Sequence, residues 1–269
     1  MSVHDFAQST SLLSWAFQRK TRRAVIAAAA LVVSWELLGT FVITNKLFFA
    51  APSSMLEAGV KLWASGALQQ DIIASFTAIA YGMVLAIVIG IFIGILSGVS
   101  QTFLEYTDWF FTAMYSTPLV AVAPILILWF GIGIASKVVV VFLMAVFPIL
   151  ISTAAGIRNT DAAFIDVARS FGASRTQIVR KVQMPASIPF IATGIRLAIG
   201  RAVVGVVVGE LFGAYAGLGF LVFTAGQTFD APALFLGVFL LSVTGVGLTS
   251  LMKLVESRAA KWRHSDGEH

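Results

Sequence analysis

The segment Asp161–Pro185 reads DAAFIDVARSFGASRTQIVRKVQMP and lies between two long apolar runs of the chain. Gly172 comes directly after Phe171, the usual place of a glycine just past the end of a helix. Ser174 is a residue type that caps the start of a following helix, and Pro185 restricts the residue before it. The segment is therefore predicted to form a helix, a glycine break, and a second short helix that ends at the proline.

Both predicted helices of this segment carry an apolar stripe among their polar residues. Its members are Ala162, Ile165, Val167 and Ala168 in the first helix and Ile178, Val179 and Val182 in the second. A helical hairpin that lies free in water is not expected to leave such a stripe bare. We therefore expect it to dock into a groove of a partner protein.

The composition around this segment is that of a membrane protein. Of 269 residues, 58% are hydrophobic and 12% are charged, whereas a soluble domain has about 25% charged residues. At about 20 apolar residues per span, the chain has room for about six helices and for no second, soluble domain. Six apolar runs fit this count: 24–43, 72–96, 109–130, 138–155, 188–212 and 233–254.

Local signals refine these runs. Pro118 and Pro124 interrupt the third run and predict one kinked helix. Glycines at positions 82, 90, 94 and 98 predict a closely packed face on the second helix. Residues 55–63 follow two serines and predict a short amphipathic helix at the membrane interface, capped by a serine.

The distribution of Lys and Arg predicts the orientation. With six spans and both termini inside, thirteen of these residues lie in inner segments, and Lys46, Lys61 and Lys137 lie in outer ones. Basic residues favour the cytoplasmic side. The chain is accordingly divided into a cytoplasmic N-terminal segment (1–23), a transmembrane domain (24–254) and a cytoplasmic tail (255–269). The segment 158–185 belongs to the transmembrane domain and faces the cytoplasm.

No pattern of catalytic or metal-binding residues occurs in the chain. Cysteine is absent, and the histidines stand near the termini at His4, His264 and His269. Thiolate sites and disulfides are excluded, and no phosphate-binding glycine loop is found. The net charge of +5 is accounted for by basic residues beside the spans, so nucleic acid is not expected as a partner.

With these features the sequence resembles the inner-membrane permease subunits of ABC importers. Their signature is E-A-A, three residues, Gly, nine residues, then I-x-L-P. This chain has Asp166-Val-Ala168, three residues, Gly172, nine residues, then Val182-Gln-Met-Pro185. Further pieces resemble the nitrate, sulfonate, taurine and bicarbonate subfamily, among them Gly209-Glu-Leu and Gly217-Leu-Gly219.

The resemblance implies an all-α, type I importer permease with six spans that works as a symmetric homodimer in the bacterial inner membrane. It implies two ATPase subunits, which hold ATP and Mg, and a periplasmic solute-binding protein. It further implies that the permease subunit itself holds no cofactor and is not an enzyme. The residues carried over to ATPase coupling are Asp161, Asp166, Ala168, Gly172, Ala173 and Pro185. The subfamily often has a basic residue just after Ser75; its absence here indicates that an anion contact is missing or moved.

Charged residues within the apolar runs are candidates for the translocation path, because a charge in the bilayer is costly. Arg196, Arg201 and Glu210 are predicted to line this path for a small anionic solute. The alternative for each arginine is a structural ion pair, for instance Arg201 with Glu210 or Glu36. Glu36 itself is expected to serve packing or an interface.

Two further features are open to alternative interpretations. Trp129, Phe130, Met144 and Phe147 either line a path for an aromatic or alkyl solute or serve lipid contact and packing. The glycine-rich stretch 213–226 is either an outer gate, or a contact for the binding protein, or a plain loop.

Two other classes of protein compete with the importer permease. A standalone secondary transporter or channel would show inverted repeats, which are not detected, and would leave the hairpin unexplained. A membrane-embedded enzyme would need paired catalytic groups inside the bilayer, and none is evident in the sequence. The solute stays open among nitrate, sulfonates, taurine, bicarbonate, aromatic carboxylates and neutral vitamin precursors.

Overall fold

Residues 22–43 and 45–260 are described by the computed structural model of the chain, and they form helices joined by short turns. The residues outside these ranges include most of the predicted N-terminal segment and the last part of the predicted tail. Along the chain the helices are α1 (Arg22–Val42), α2 (Pro52–Ala64), α3 (Ala67–Val99), α4 (Gln101–Ser116), α5 (Leu119–Phe130), α6 (Ile134–Arg158), α7 (Ala162–Ser170), α8 (Arg175–Ile178), α9 (Met184–Gly213), α10 (Leu218–Gln227) and α11 (Ala231–Ala260).

The number of spans agrees with the prediction of about six. Within the described residues, five helices are long and apolar enough to cross a membrane: α1, α3, α6, the continuous helix α8–α9, and α11. The pair α4 and α5 makes a sixth if it is counted as one broken span. The all-α membrane fold predicted from the composition is therefore confirmed.

Helix α6 lies at the centre of the bundle and packs along its length against α3 and α9. The predicted glycine face of α3 makes the first of these contacts. A Cβ placed on Gly94 would lie 2.6 Å from Thr153 Cβ and 2.8 Å from the carbonyl oxygen of Leu150. Gly98 meets Ile157 in the same way. The small residues let the two helix backbones approach closely, as the spacing predicts.

The third span differs from its prediction. A single kinked helix over 109–130 is wrong, because α4 and α5 meet at an angle of 96° beside Pro118. Helix α4 also begins earlier, where the Ser100 hydroxyl accepts a hydrogen bond from the Phe103 N–H at 3.2 Å. Pro124 lies inside α5 without breaking it.

The predicted stop at Pro185 is also wrong. The helix that begins at Arg175 passes through a π-helical turn at Val179–Gln183 and continues into α9. In that turn the Met184 N–H bonds to the carbonyl of Val179, five residues back. A proline ring collides with the carbonyl four residues before it in a regular helix, and the wider turn accommodates Pro185 without ending the helix.

Two other local predictions need correction. The amphipathic helix α2 exists, but Ala51 is its N-cap and Pro52 its first residue, so no serine caps it. The Glu36 carboxylate of α1 instead accepts hydrogen bonds from the N–H and the hydroxyl of Ser53, at 3.0 and 2.6 Å. The stretch 213–226 is not a plain loop, because it contains most of α10.

Candidate coupling surface and translocation path

Helix α7 is held in shape by a cap at each of its ends. The Asp161 carboxylate accepts a hydrogen bond from the Ala163 N–H at 2.9 Å and begins the helix. Gly172 ends it with a left-handed φ of +75°, and the Ala173 N–H then bonds to the Ala168 carbonyl at 3.0 Å. This last bond is the six-to-one closure of a Schellman motif.

The second half of the segment begins with a capping box and is tied to the bundle. The Ser174 hydroxyl accepts from the Gln177 N–H while the Gln177 side chain accepts from the Ser174 N–H. The Arg175 guanidinium donates to the Val99 carbonyl at the end of α3, at 2.9 Å. The start of α8 is therefore tied to the end of α3.

One face of α7 is apolar and uncovered. Phe164, Val167 and Phe171 are 65%, 55% and 86% exposed, at a spacing of three and four residues that places them on one side of the helix. Ile165 and Ala168 are half-buried and face the chain itself. The stripe predicted from the sequence is thus split between two faces, and the two phenylalanines of the outer face were not in it.

Two other predicted coupling residues, Asp166 and Pro185, are also exposed. Asp166 is exposed and pairs with Arg169 across one turn, 3.2 Å apart. Pro185 is exposed and lies in the first turn of α9. The structure thus gathers the predicted residues at one end of the molecule, here called the hairpin end.

A buried polar network occupies the opposite end of the bundle. Glu210 of α9 is fully buried and accepts hydrogen bonds from the Ser75 hydroxyl of α3 at 2.8 and 3.0 Å. The Lys137 ammonium of α6 lies 3.5 Å from the same carboxylate and donates to the Ala216 carbonyl. The network thus joins the three central helices at one point.

The same side chains hold the start of α10. The N–H groups of Gly217, Leu218 and Gly219 donate to Asp71, Ser75 and Glu210 respectively, each at 2.8 Å. These are N–H groups that a helix start leaves without an internal partner. Side chains of α3 and α9 therefore cap α10 in place of a residue next to it in the chain.

Sequence reasoning singled out Glu210 but missed its partners Asp71, Ser75 and Lys137. Lys137 counted as an outer-loop residue, yet it is buried in α6. The sequence did contain a signal for these partners, because charged residues occur near the same ends of three apolar runs. The role of Glu210 in the translocation path stays a prediction.

The two arginines predicted for the path have different surroundings. Arg196 forms a partly buried ion pair with Glu256 of α11 at 3.0 Å. Arg201 is exposed and stacks over the Tyr115 ring of α4, with 5.7 Å from the guanidinium carbon to the ring centroid. Neither suggested partner holds Arg201, because Glu210 binds Lys137 and Glu36 caps α2. Its predicted place in the path is therefore untested by these contacts.

The aromatic and methionine candidates also differ from one another in burial. Met144 and Phe147 are buried in the core around α6, whereas Trp129 and Phe130 at the end of α5 are exposed. Among the residues described here, no group of His, Asp or Glu has the arrangement of a metal site.

The sequence of residues 86–261 matches a protein family described as binding-protein-dependent transport system inner membrane component. The chain belongs to this family. The match covers the whole hairpin and all helices from the second half of α3 onward. The permease signature proposed from the spacing around Gly172 is therefore confirmed at the level of the family.

Two relatives of the chain are named as permeases for particular solutes. The permease is 33% identical over 243 residues to the putative aliphatic sulfonates transport permease protein SsuC of Bacillus subtilis, covering 90% of this chain and 88% of that one. It is 29% identical over 253 residues to the taurine transport system permease protein TauC of Escherichia coli, covering 92% of each. Both relatives are named as transport permeases, one for aliphatic sulfonates and one for taurine. The chain is a non-catalytic permease subunit of an ABC importer of this subfamily.

The fold agrees with a solved ABC importer. An inward-facing structure of the MetNI methionine ABC transporter matches 72% of the permease and 94% of the matched chain, with a TM-score of 0.61 and 21% sequence identity. The type I importer permease fold expected from the sequence is thereby confirmed.

Proposed function

We propose that two copies of this permease form the membrane path of an importer for a small anionic solute of the sulfonate class. Two ATPase subunits, which bind ATP and Mg, receive the two hairpins, and a periplasmic binding protein delivers the solute at the opposite end. The observation that carries this proposal is the uncovered apolar face of α7, made of Phe164, Val167 and Phe171. Large apolar side chains grouped on an exposed face are typical of a protein–protein contact.

The rigid capping of the hairpin supports a coupling role. Asp161 and Gly172 fix both ends of α7, and Arg175 ties the next helix to the end of α3. A displacement of the ATPase would therefore be passed to α3 and α9 rather than absorbed in a loose loop. ATP binding would close the ATPase pair and turn the path outward, and hydrolysis would reset it.

The same arrangement supports an orientation of the permease in the membrane. The hairpin end carries Arg158, Arg169, Arg175, Arg180 and Lys181, and basic residues favour the cytoplasm. At the opposite end, the sequence counted Lys137 among the basic residues of the outer segments. In the structure this lysine is buried beside Glu210, so fewer basic residues are exposed at that end. We therefore propose that the hairpin and both termini face the cytoplasm of a bacterial inner membrane.

The hairpin assignment is tested by replacing Phe171 with aspartate. The complex of tagged permease and ATPase is purified in mild detergent, and we expect at least a tenfold loss of bound ATPase, because a charge would have to be buried in an apolar contact. The variant Gly172→Asp is expected to act similarly, since an L-residue at φ +75° is strained.

The matched control is Thr176→Asp, which adds the same charge to an exposed position of the same hairpin. We expect it to bind the ATPase as the wild type does. Equal ATPase binding by the Phe171 variant and this control would contradict the coupling assignment. A wild-type permease that is folded but binds no ATPase would contradict the importer and favour a standalone transporter.

The sulfonate class is supported by the named solutes of two relatives and by the exposed guanidinium of Arg201.

In reconstituted importer, Arg201→Gln is expected to lower solute uptake about tenfold with little change in stability, because this side chain has no ion pair among the described residues. Arg196→Gln is expected to cost about 1 kcal/mol of stability through loss of its pair with Glu256. Uptake and thermal unfolding measured on both variants separate the two roles, and equal effects on both would refute the distinction.

A further inference from the structure

One face of α9 is apolar and uncovered, and it carries a positive charge. Leu197 and Val204 are 57% and 49% exposed, and Arg201 lies between them, four and three residues away, on the same side of the helix. An arginine inside a spanning helix normally faces a partner or a water-filled cavity, because a charge that faces lipid is costly. This face of α9 therefore fits a border of the translocation path better than a contact with lipid.

The Arg201 guanidinium is held in a way that leaves its hydrogen-bond donors unused. Its central carbon lies over the Tyr115 ring, 5.7 Å from the ring centroid, which is within the range of a cation–π contact. The described part of the chain supplies neither an ion pair nor a hydrogen bond to its N–H groups. A guanidinium with free N–H groups can bind an oxyanion through two parallel hydrogen bonds.

Arg196, one turn and a half earlier on the same helix, shows the contrasting arrangement. Its guanidinium donates to the Glu256 carboxylate at 3.0 Å, so an incoming anion would have to displace a carboxylate. A cation–π contact needs no acceptor atom, and an anion can approach Arg201 without displacing one. Of the two arginines, Arg201 is the one prepared for a ligand.

Tyr115 is held beside α9 by the break between α4 and α5. It lies in the last turn of α4, which the Thr117 N–H closes by bonding to the Ala113 carbonyl at 3.0 Å. The Thr117 hydroxyl donates to the same carbonyl at 2.8 Å. Helix α5 then leaves at an angle of 96° and packs against α6 and α9. The break thus fixes the end of α4 next to α9, where the tyrosine ring meets Arg201.

We propose that Tyr115 is a positioning residue of the translocation path, whose ring holds the Arg201 guanidinium in place to bind an oxyanion of the solute through its free N–H groups. This inference rests on the proposed importer function and adds a residue of α4 to the site. Tyr115 acts through Arg201 and needs no contact of its own with the solute. Its hydroxyl is dispensable, because the face of the ring makes the contact.

The test uses the absence of cysteine from the chain. A single Leu197→Cys variant, one turn from Arg201, is purified as the complex with its ATPase and without the binding protein, and is labelled with a small thiol-reactive reagent in detergent. Protection of this cysteine by ethanesulfonate reports binding of the anion, and ethylamine should not protect. We expect Tyr115→Leu to raise the concentration for half-protection about fivefold, because the cation–π contact is lost.

Three further variants separate positioning from a merely structural role. Tyr115→Phe keeps the ring and should restore the protection seen with tyrosine. Tyr106→Leu removes a ring of the same kind from α4 that is 77% exposed and meets no cation among the described residues, and it should have no effect. Arg201→Gln should weaken protection at least tenfold through loss of charged hydrogen bonds. Adding Tyr115→Leu to Arg201→Gln should then change nothing further.

The outcomes are distinguishable from failure of the importer itself. If the ATPase co-purifies but ethanesulfonate does not protect Leu197→Cys, or protects it equally in the Tyr115→Leu or Arg201→Gln variant, the positioning role is overturned and the importer stands. An equal loss in Tyr115→Phe, or a further loss on adding Tyr115→Leu to Arg201→Gln, would also overturn it, since Tyr115 would then act independently of the stacked guanidinium. If no ATPase co-purifies with the folded wild type, the importer proposal fails first.

Discussion

Glu210→Ala is expected to lower the free energy of unfolding of the permease by about 3–5 kcal/mol, the usual cost of removing one partner from a buried ion pair. The carboxylate is fully buried, accepts hydrogen bonds from the Ser75 hydroxyl and the Gly219 N–H, and forms an ion pair with Lys137. Alanine would leave the Lys137 ammonium buried without its counter-charge and would uncap α10. Thermal or denaturant unfolding in detergent measures the loss.

Two controls separate charge from shape in this network. Glu210→Gln keeps an oxygen that accepts from Ser75 and Gly219, so we expect a smaller loss than for alanine. Adding Lys137→Met to Glu210→Gln removes the unpaired ammonium and should recover part of the stability. A Glu210→Ala variant within about 0.5 kcal/mol of wild type, the scatter of neutral surface changes, would show that the network does not stabilise the fold.

Gly94→Ala is expected to destabilise the permease by about 1–3 kcal/mol, the usual cost of overpacking. The added methyl would lie 2.6 Å from Thr153 Cβ and 2.8 Å from the Leu150 carbonyl oxygen. The backbone oxygen has no rotamer by which to move away, so α3 and α6 would have to separate. Unfolding of the purified variant in detergent measures the cost.

The matched control is Gly247→Ala in α11. Its Cβ would meet nothing within 4 Å, and its φ is not in the left-handed region. Alanine is favoured over glycine within a helix by about 1 kcal/mol, so this variant is expected to be neutral or stabilising. If Gly94→Ala is equally well tolerated, close packing at the glycine face does not hold α3 against α6.

The membrane fold could be predicted from the sequence because it rests on one-dimensional patterns. The length and spacing of apolar runs determine how many helices cross the bilayer, and the four-residue spacing of glycines indicates which face of α3 packs. The helix–glycine–helix pattern around Gly172 likewise depends on local capping, which acts between residues a few positions apart. These predictions did not need to know which helices are neighbours.

Local patterns failed where a distant residue took over a local role, and at Pro185 where an irregular turn changed the helix geometry. Serine was predicted to cap α2, but the Glu36 carboxylate from another helix supplies the hydrogen bonds at its start. Pro185 was predicted to end a helix, but the π-helical turn before it keeps the helix continuous. The glycine-rich stretch 213–226 gave no sign of α10, because the side chains that cap this helix lie in α3 and α9.

The sequence by itself determined the membrane class, the approximate spans and the family, since each is carried by composition, spacing or a contiguous motif. Only the tertiary structure decided which charges meet. Glu210 pairs with Lys137 rather than Arg201, Arg196 pairs with Glu256, and Arg201 stacks over Tyr115. Residues so far apart in the chain are brought together by helix packing, whose geometry depends on every contact of the bundle at once.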